Sequence, residues 1–142
     1  MRLVLDTNVV IAGLLWQGHP RRLLDRAIDG HVTLFSSPAL IGELARTLNY
    51  PKFAQRIATL CATTPSALTV RYSALTMLVT PTEAPRVVLE DADDDHVLAC
   101  AVAANADLII SGDRHLHALG GAYRGIRIVR PVEAAALIGE AK

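Results

Sequence analysis

The chain of 142 residues is predicted to be an α/β protein: a three-layer α/β/α sandwich around a central, mostly parallel sheet of about five strands. Three observations predict it. Short aliphatic runs alternate along the chain with segments whose apolar residues recur at helical spacing. Hydrophobic residues make up 51% of the chain and aromatics only 4%, with a mean hydropathy of +0.32. The core must therefore be built from Leu, Val, Ile and Ala. Two of the aliphatic runs end abruptly in polar residues with an aspartate, at Asp6 and at Asp113. Short apolar strands separated by helices imply a parallel sheet covered on both faces, doubly wound by right-handed crossovers. The length suits one domain, residues 1–142.

The elements follow in order. Arg2 to Leu5 is strand-like. Asp6, Thr7 and Asn8 are all good helix caps, and Val9 to Leu15 reads as a short helix. Gly18-His19-Pro20 breaks it, and Pro20 opens a second helix carrying Leu23, Leu24, Ala27 and Ile28 at helical spacing. Asp29-Gly30 closes that helix. Val32 to Phe35 is a second strand. Ser37 caps a third helix with Pro38 at its first position, and Ile41, Leu44, Ala45 and Leu48 give its apolar stripe. Asn49-Tyr50-Pro51 ends it. Lys52 to Ala62 and Ser66 to Ala74 are two further helices, and Thr76 to Val79 is a short strand. Glu83 to Leu89 reads as a loop. Val97 to Ala106 is apolar nearly all round, hence a buried helix. Leu108 to Ile110 is a strand ended by Ser111-Gly112-Asp113. Leu116 and Leu119 suggest one helical turn, Gly120-Gly121 loops out, Ile126 to Val129 is a last strand, and Pro131 opens a closing helix to Ile138.

Formal net charge is zero, which argues against a large nucleic-acid-binding face but not against a local one. The acids are clustered: Glu90, Asp91, Asp93, Asp94 and Asp95 fall close together, whereas arginines and lysines are scattered. No apolar run approaches the roughly 18 residues that span a bilayer, and Met1-Arg2 leads straight into a strand with no signal peptide. Cys61 and Cys100 sit in apolar, helix-like surroundings and read as reduced core thiols of a cytoplasmic protein.

The chemistry lies in the carboxylates. In a parallel sheet ligands bind beyond the carboxyl ends of the strands. If the strands that end in Asp6 and Asp113 are neighbours, the two carboxylates meet at one edge. Gathered carboxylates raise one another's pKa values, and a hard cation removes the conflict. Mg²⁺ prefers oxygen ligands and keeps several waters, so a few carboxylates suffice. Such a site polarises a phosphoryl oxygen and activates water for in-line attack. The third member lies in the acidic run. Asp91 and Asp95 are four apart, and Asp95 stands at the N-terminus of the following helix, where the dipole favours a carboxylate.

Each residue also has a structural reading, and the residues alone leave both open. Asp6 and Asp113 serve equally as helix caps, and the acidic run as a solvated helix start. Glu43 lies almost opposite the Ile41/Leu44/Leu48 stripe, which fits solvent or a cleft. His19, His31, His96, His115 and His117 lack zinc-ligand spacing and read as surface or loop residues.

The chain resembles the PIN-domain nucleases, especially the small bacterial ribonuclease toxins of type II toxin–antitoxin pairs. The resemblance rests on LDTNV at Leu5 to Val9, SSPALIGEL at Ser36 to Leu44, LEDADDDHVLACAVAANADLIISGD at Leu89 to Asp113, and RIVRP at Arg127 to Pro131. It covers nearly the whole length. It implies an α/β/α sandwich and an acidic site that uses Mg²⁺ or Mn²⁺ to hydrolyse RNA phosphodiesters. By position, Asp6, Glu43, Asp95 and Asp113 match the catalytic carboxylates, with Asp6, Asp95 and Asp113 as metal ligands. Asn8, Asp91, Asp94 and Ser111 stand as supporting positions. One departure is specific to this chain: many relatives carry another acid two residues after the fourth aspartate, and here that residue is His115. The resemblance further implies an RNA substrate, a cognate antitoxin protein and a homodimer.

Three other readings compete. An aspartyl-phosphate phosphatase needs a second aspartate two positions after the first, and Asn8 occupies that place. A non-catalytic RNA- or protein-binding domain on the same scaffold would tolerate loss of carboxylates, and all four are present. A housekeeping RNA-processing nuclease would carry the same residues as a toxin.

Overall fold

The computed structural model describes residues 1–82 and 92–140. They form a six-stranded, mostly parallel sheet with helices on both faces, in the order β3-β2-β1-β4-β6-β5. The strands are β1 (Arg2–Leu5), β2 (Thr33–Ser36), β3 (Thr76–Leu78), β4 (Leu108–Ile110), β5 (Ala122–Tyr123) and β6 (Ile126–Val129). The helices are α1 (Thr7–Leu15), α2 (His19–Ile28), α3 (Pro38–Leu48), α4 (Pro51–Arg56), α5 (Pro65–Leu75), α6 (Ala92–Ala103), α7 (Arg114–His117) and α8 (Pro131–Glu140). The chain winds outward from β1 through β2 to β3, then returns to place β4 on the other side of β1. The reversal between β1 and β4 leaves a crevice at their carboxyl ends.

Side chains alternate across each strand. Leu3, Leu5, Leu34, Leu108, Ile110 and Val129 point into one core with Val10 and Leu15 of α1, Leu23 and Leu24 of α2, Leu44 and Leu48 of α3 and Leu68 of α5. Val4, Phe35, Ile109 and Ile128 point into the other, against Val97, Leu98, Cys100 and Ala101 of α6 and Leu116 of α7. Because the middle strands are covered on both faces, they read in the sequence as unbroken apolar runs. Cys61 and Cys100 are free thiols, and burial pushes the Cys100 thiol up to about 12.

Several boundaries differ from expectation. A sixth strand, β5, pairs antiparallel with β6. It is two residues long, and its turn puts Arg124 at φ 49° and Gly125 at φ 81°, a hairpin geometry that favours glycine or asparagine at both positions. Arginine at the first of them hid the hairpin. Helix α6 runs from Ala92 and takes in Asp93, Asp94 and Asp95 of the acidic run. It stops at Ala103 because Asn105 turns left-handed at φ 50°, with Ala106 N donating back to Ala101 O at 3.0 Å, a Schellman closure. The helix expected over Lys52 to Ala62 is α4 followed by a π-helical turn, Ile57–Cys61. Ile28, read as part of the α2 stripe, is 67% exposed. It lines an open groove of about 560 Å³ with Leu14, Leu24, Leu68 and Tyr72. The loop expected over Glu83 to Leu89 lies outside the described residues. Among those described, no helix is long and apolar enough to cross a membrane.

Gly13 fixes how closely α1 and α2 approach. A Cβ there would lie 2.9 Å from Leu24 Cδ1 and 3.0 Å from the Pro20 carbonyl oxygen. Helix propensity alone favours alanine by about 1 kcal/mol, but overpacking against a fixed carbonyl costs about 1–3 kcal/mol. Gly13→Ala should therefore lower stability by about 1 kcal/mol, read from the urea midpoint. A rise in that midpoint would show that α2 moves freely over α1.

Candidate metal centre

Asp6 follows β1 and takes the cap position of α1 with an extended backbone, φ −62° and ψ 150°. Its carbonyl accepts from Val9 N and Val10 N at 3.0 and 3.1 Å. Its side-chain Oδ2 accepts from the Ser111 hydroxyl at 2.7 Å. Strand pairing dictates this link. Leu5 is opposite Ile110, and Asp6 N donates to Ile110 O at 3.0 Å, so Ser111 comes next across the ladder. The Ser111 oxygen in turn accepts from Asp113 N at 2.9 Å. One fully buried hydroxyl thus joins the ends of β1 and β4.

Asp113 caps α7, with Oδ1 accepting from His115 N at 2.7 Å. The His115 ring folds back, bringing Nδ1 to 3.5 Å from that same oxygen. His117 Nε2 lies 2.6 Å from the Ser111 carbonyl oxygen. A carbonyl only accepts, so this nitrogen carries the proton. The histidines of α7, expected as surface or loop residues, are therefore half-buried parts of the site. The signal that was available for His115 is its spacing: two residues beyond a capping aspartate, a side chain can return over the cap.

Helix α6 is the crossover between parallel strands β3 and β4, so it runs against the strand direction and starts at their carboxyl ends. It packs across β1, β2 and β4. Its first turn carries Asp94 and Asp95, 3% and 7% exposed, and Asp6 at the end of β1 is itself 6% exposed. Glu43 on α3 is half-buried, although its helical phase fitted solvent as well as a cleft. Helix α3 is flanked on two sides: Leu40 enters one core while Leu44 and Leu48 enter the other. Asn8 is exposed on α1. Asp91 lies outside the described residues.

Burial raises the Asp6 carboxyl above its ordinary value, and the nearby Asp113 charge raises it further. The Ser111 hydroxyl and the Thr7 and Asn8 amides pull in the other direction and do not cancel the rise. Among the described residues, Asp94, Asp113 and His115 each offer one donor atom, all within 4.8 Å of one another. Ligands on opposite sides of a cation with 2.1 Å bonds lie about 4.2 Å apart. Adjacent ligands on such an ion lie about 3.0 Å apart, so the three atoms must draw together to share one ion. Two carboxylates and an imidazole are thus a donor set that fits a divalent cation. Asp95, the ligand expected from the sequence, is the next residue after Asp94 on the same turn.

The sequence profile of a family described as PIN domain matches residues 2–115. No curated protein sequence matches the chain. The crystal structure of VapBC2 from Rickettsia felis bound to a DNA fragment from their promoter superposes with a TM-score of 0.62. It shares 14% identity and covers 92% of this chain and 98% of that one. The crystal structure of PAE2754 from Pyrobaculum aerophilum superposes with a TM-score of 0.61 and 13% identity, over 98% of this chain and 89% of that one.

The raised Asp6 carboxyl has a consequence for stability. Above its folded value the protein must hold an ionised, buried carboxylate. Below the ordinary carboxylate value that cost is absent in both folded and unfolded chains. Stability without divalent ions therefore falls as pH rises from the ordinary value through the raised one. Asp6→Asn should remove that slope. In EDTA its Tm should exceed that of the wild type at about pH 8 and approach it at about pH 4. A constant difference between the two proteins across that range would refute the assignment.

Proposed function

The chain belongs to the PIN-domain family, and on that premise we propose that it is a metal-dependent endoribonuclease, the toxin component of a type II toxin–antitoxin system. In this reading residues 1–142 form one nuclease domain. The observation that carries it is Asp6, a buried carboxylate at a strand end whose pKa is raised by desolvation and by a second carboxylate, Asp113. Such a pair is costly by itself and serves a purpose once a cation lies between its members. Asp6, Asp95 and Asp113 would hold Mg²⁺ or Mn²⁺, with Asp94 beside them. When bound, the cation offsets charge on a phosphodiester and increases the acidity of water.

The remaining work falls to the protein. Glu43 accepts a hydrogen bond from the attacking water and orients it toward phosphorus. Ser111 fixes the Asp6 carboxylate at the end of β1. Asn8, two residues after Asp6, has no titratable group, which disfavours an aspartyl-phosphate route. Arg114 and Arg130 are exposed beside Asp113, and Arg130 Nη1 lies 3.4 Å from the Gly112 carbonyl oxygen. They are suited to RNA phosphates on either side of the scissile bond. The partners in this reading are RNA, a cognate antitoxin and a second copy of the chain, in the cytoplasm.

The test is cleavage of a mixed RNA substrate with Mg²⁺, with Mn²⁺ and in EDTA. Asp6→Asn and Asp113→Asn should each lose at least about 100-fold in rate, since outer-shell changes alone cost 10–100-fold. Full cleavage in EDTA, or an unaffected Asp6→Asn protein, would exclude the mechanism. Arg130→Ala should weaken RNA binding and reduce its salt slope by about 0.7, the value for one single-strand phosphate contact. Growth arrest on expression, with Asp6→Asn as the inert control, separates a toxin from a housekeeping nuclease.

A further inference from the structure

His115 stands where an all-carboxylate site would carry another acid, and it is not a bystander. Asp113 accepts from the His115 amide at 2.7 Å, which turns the chain so that the imidazole lies back over the carboxylate. Its Nδ1 is 3.5 Å from Asp113 Oδ1. That is too long for a charge-assisted hydrogen bond, which runs at about 2.8 Å. It is close to the separation of about 3.0 Å between adjacent ligands on one ion with 2.1 Å bonds. The third donor, on Asp94, lies within 4.8 Å of both and is anchored on a buried helix turn.

We infer that the centre has a mixed nitrogen–oxygen donor set in which His115 supplies a ring nitrogen, and that it selects a borderline first-row transition dication over Mg²⁺. The inference rests on the reading of the acidic cluster as a cation site. Its chemistry is that of the ligands. Mg²⁺ requires hard oxygen donors and gives up water reluctantly, so an imidazole in its shell is a poor exchange. Imidazole suits ions such as Co²⁺, Ni²⁺ and Zn²⁺. Replacing one carboxylate by a neutral ring also removes a negative charge from the cluster. This lowers the electrostatic attraction on which Mg²⁺ depends most and leaves the covalent part of transition-metal binding intact.

The experiment is calorimetric titration of the RNA-free protein with Co²⁺ and with Mg²⁺, for wild type, His115→Asp and Asp113→Asn. Mn²⁺-loaded wild type is examined in parallel by pulsed electron paramagnetic resonance for coupling to ¹⁴N. The wild type should bind Co²⁺ and show nitrogen coupling that His115→Asp abolishes. His115→Asp should lower the ratio of Co²⁺ to Mg²⁺ affinity at least about 10-fold, the lower end of what a change at a metal centre costs. An unchanged ratio together with absent nitrogen coupling would overturn the inference while leaving a cation site in place. Failure of the wild type to bind either ion would overturn the cation-site reading, and this inference with it. His115 lies half-buried on a one-turn helix, so the variants should fold, and matching thermal melts of the metal-free proteins verify it.

Discussion

Strand β1 pairs with β4 through Leu3–Leu108, Val4–Ile109 and Leu5–Ile110, and the site depends on that pairing. The ladder brings Asp6 opposite Ser111, and the Ser111 hydroxyl spends its one proton on Asp6 while accepting from the Asp113 amide. Ser111 is fully buried. Replacing it with a residue lacking the hydroxyl would leave both groups short of a partner, at about 1–3 kcal/mol for each buried orphan. A slip of one residue between these strands would turn Asp6 away from the crevice and drive Leu5 out of the core. The same contacts that hold the sheet in register therefore hold the carboxylates in place.

The site stands in a core that does not suit it. Asp6, Asp94 and Asp95 are each less than a tenth exposed, and desolvation costs several kcal/mol per buried ion. The α6 dipole can return at most about 2 kcal/mol to carboxylates in its first turn, and a hydroxyl donor offers about as much. At Asp6 the raised carboxyl shows that such contributions do not offset the cost in full. The local imbalance is tolerated because the aliphatic cores on the two faces of the sheet supply the stability. In the function proposed above, a divalent ion completes the arrangement.

Most of the architecture was legible because alternation of short aliphatic runs with helical stripes is a long-range pattern that single residues cannot blur. Two aspartates at strand ends were legible too, since a charge directly after a buried strand has few places to go. The missed features are those where the deciding information is not local. Strand β5 is too short to show alternation, and its turn places arginine where glycine is expected. The inward turn of His115 follows from a backbone hydrogen bond to Asp113 that no periodicity encodes. Adjacent aspartates on α6 are equivalent by composition and differ only in where the first helical turn points them.

The Asp6–Ser111 bond joins residues 105 positions apart, and this separation bears on the birth of the protein. During synthesis β1 emerges first and waits, with β2 as neighbour on one side and nothing on the other, until the segment bearing β4 has left the ribosome. Until then the acidic crevice does not exist. The crevice forms in one late step, when the returning strand closes against the first.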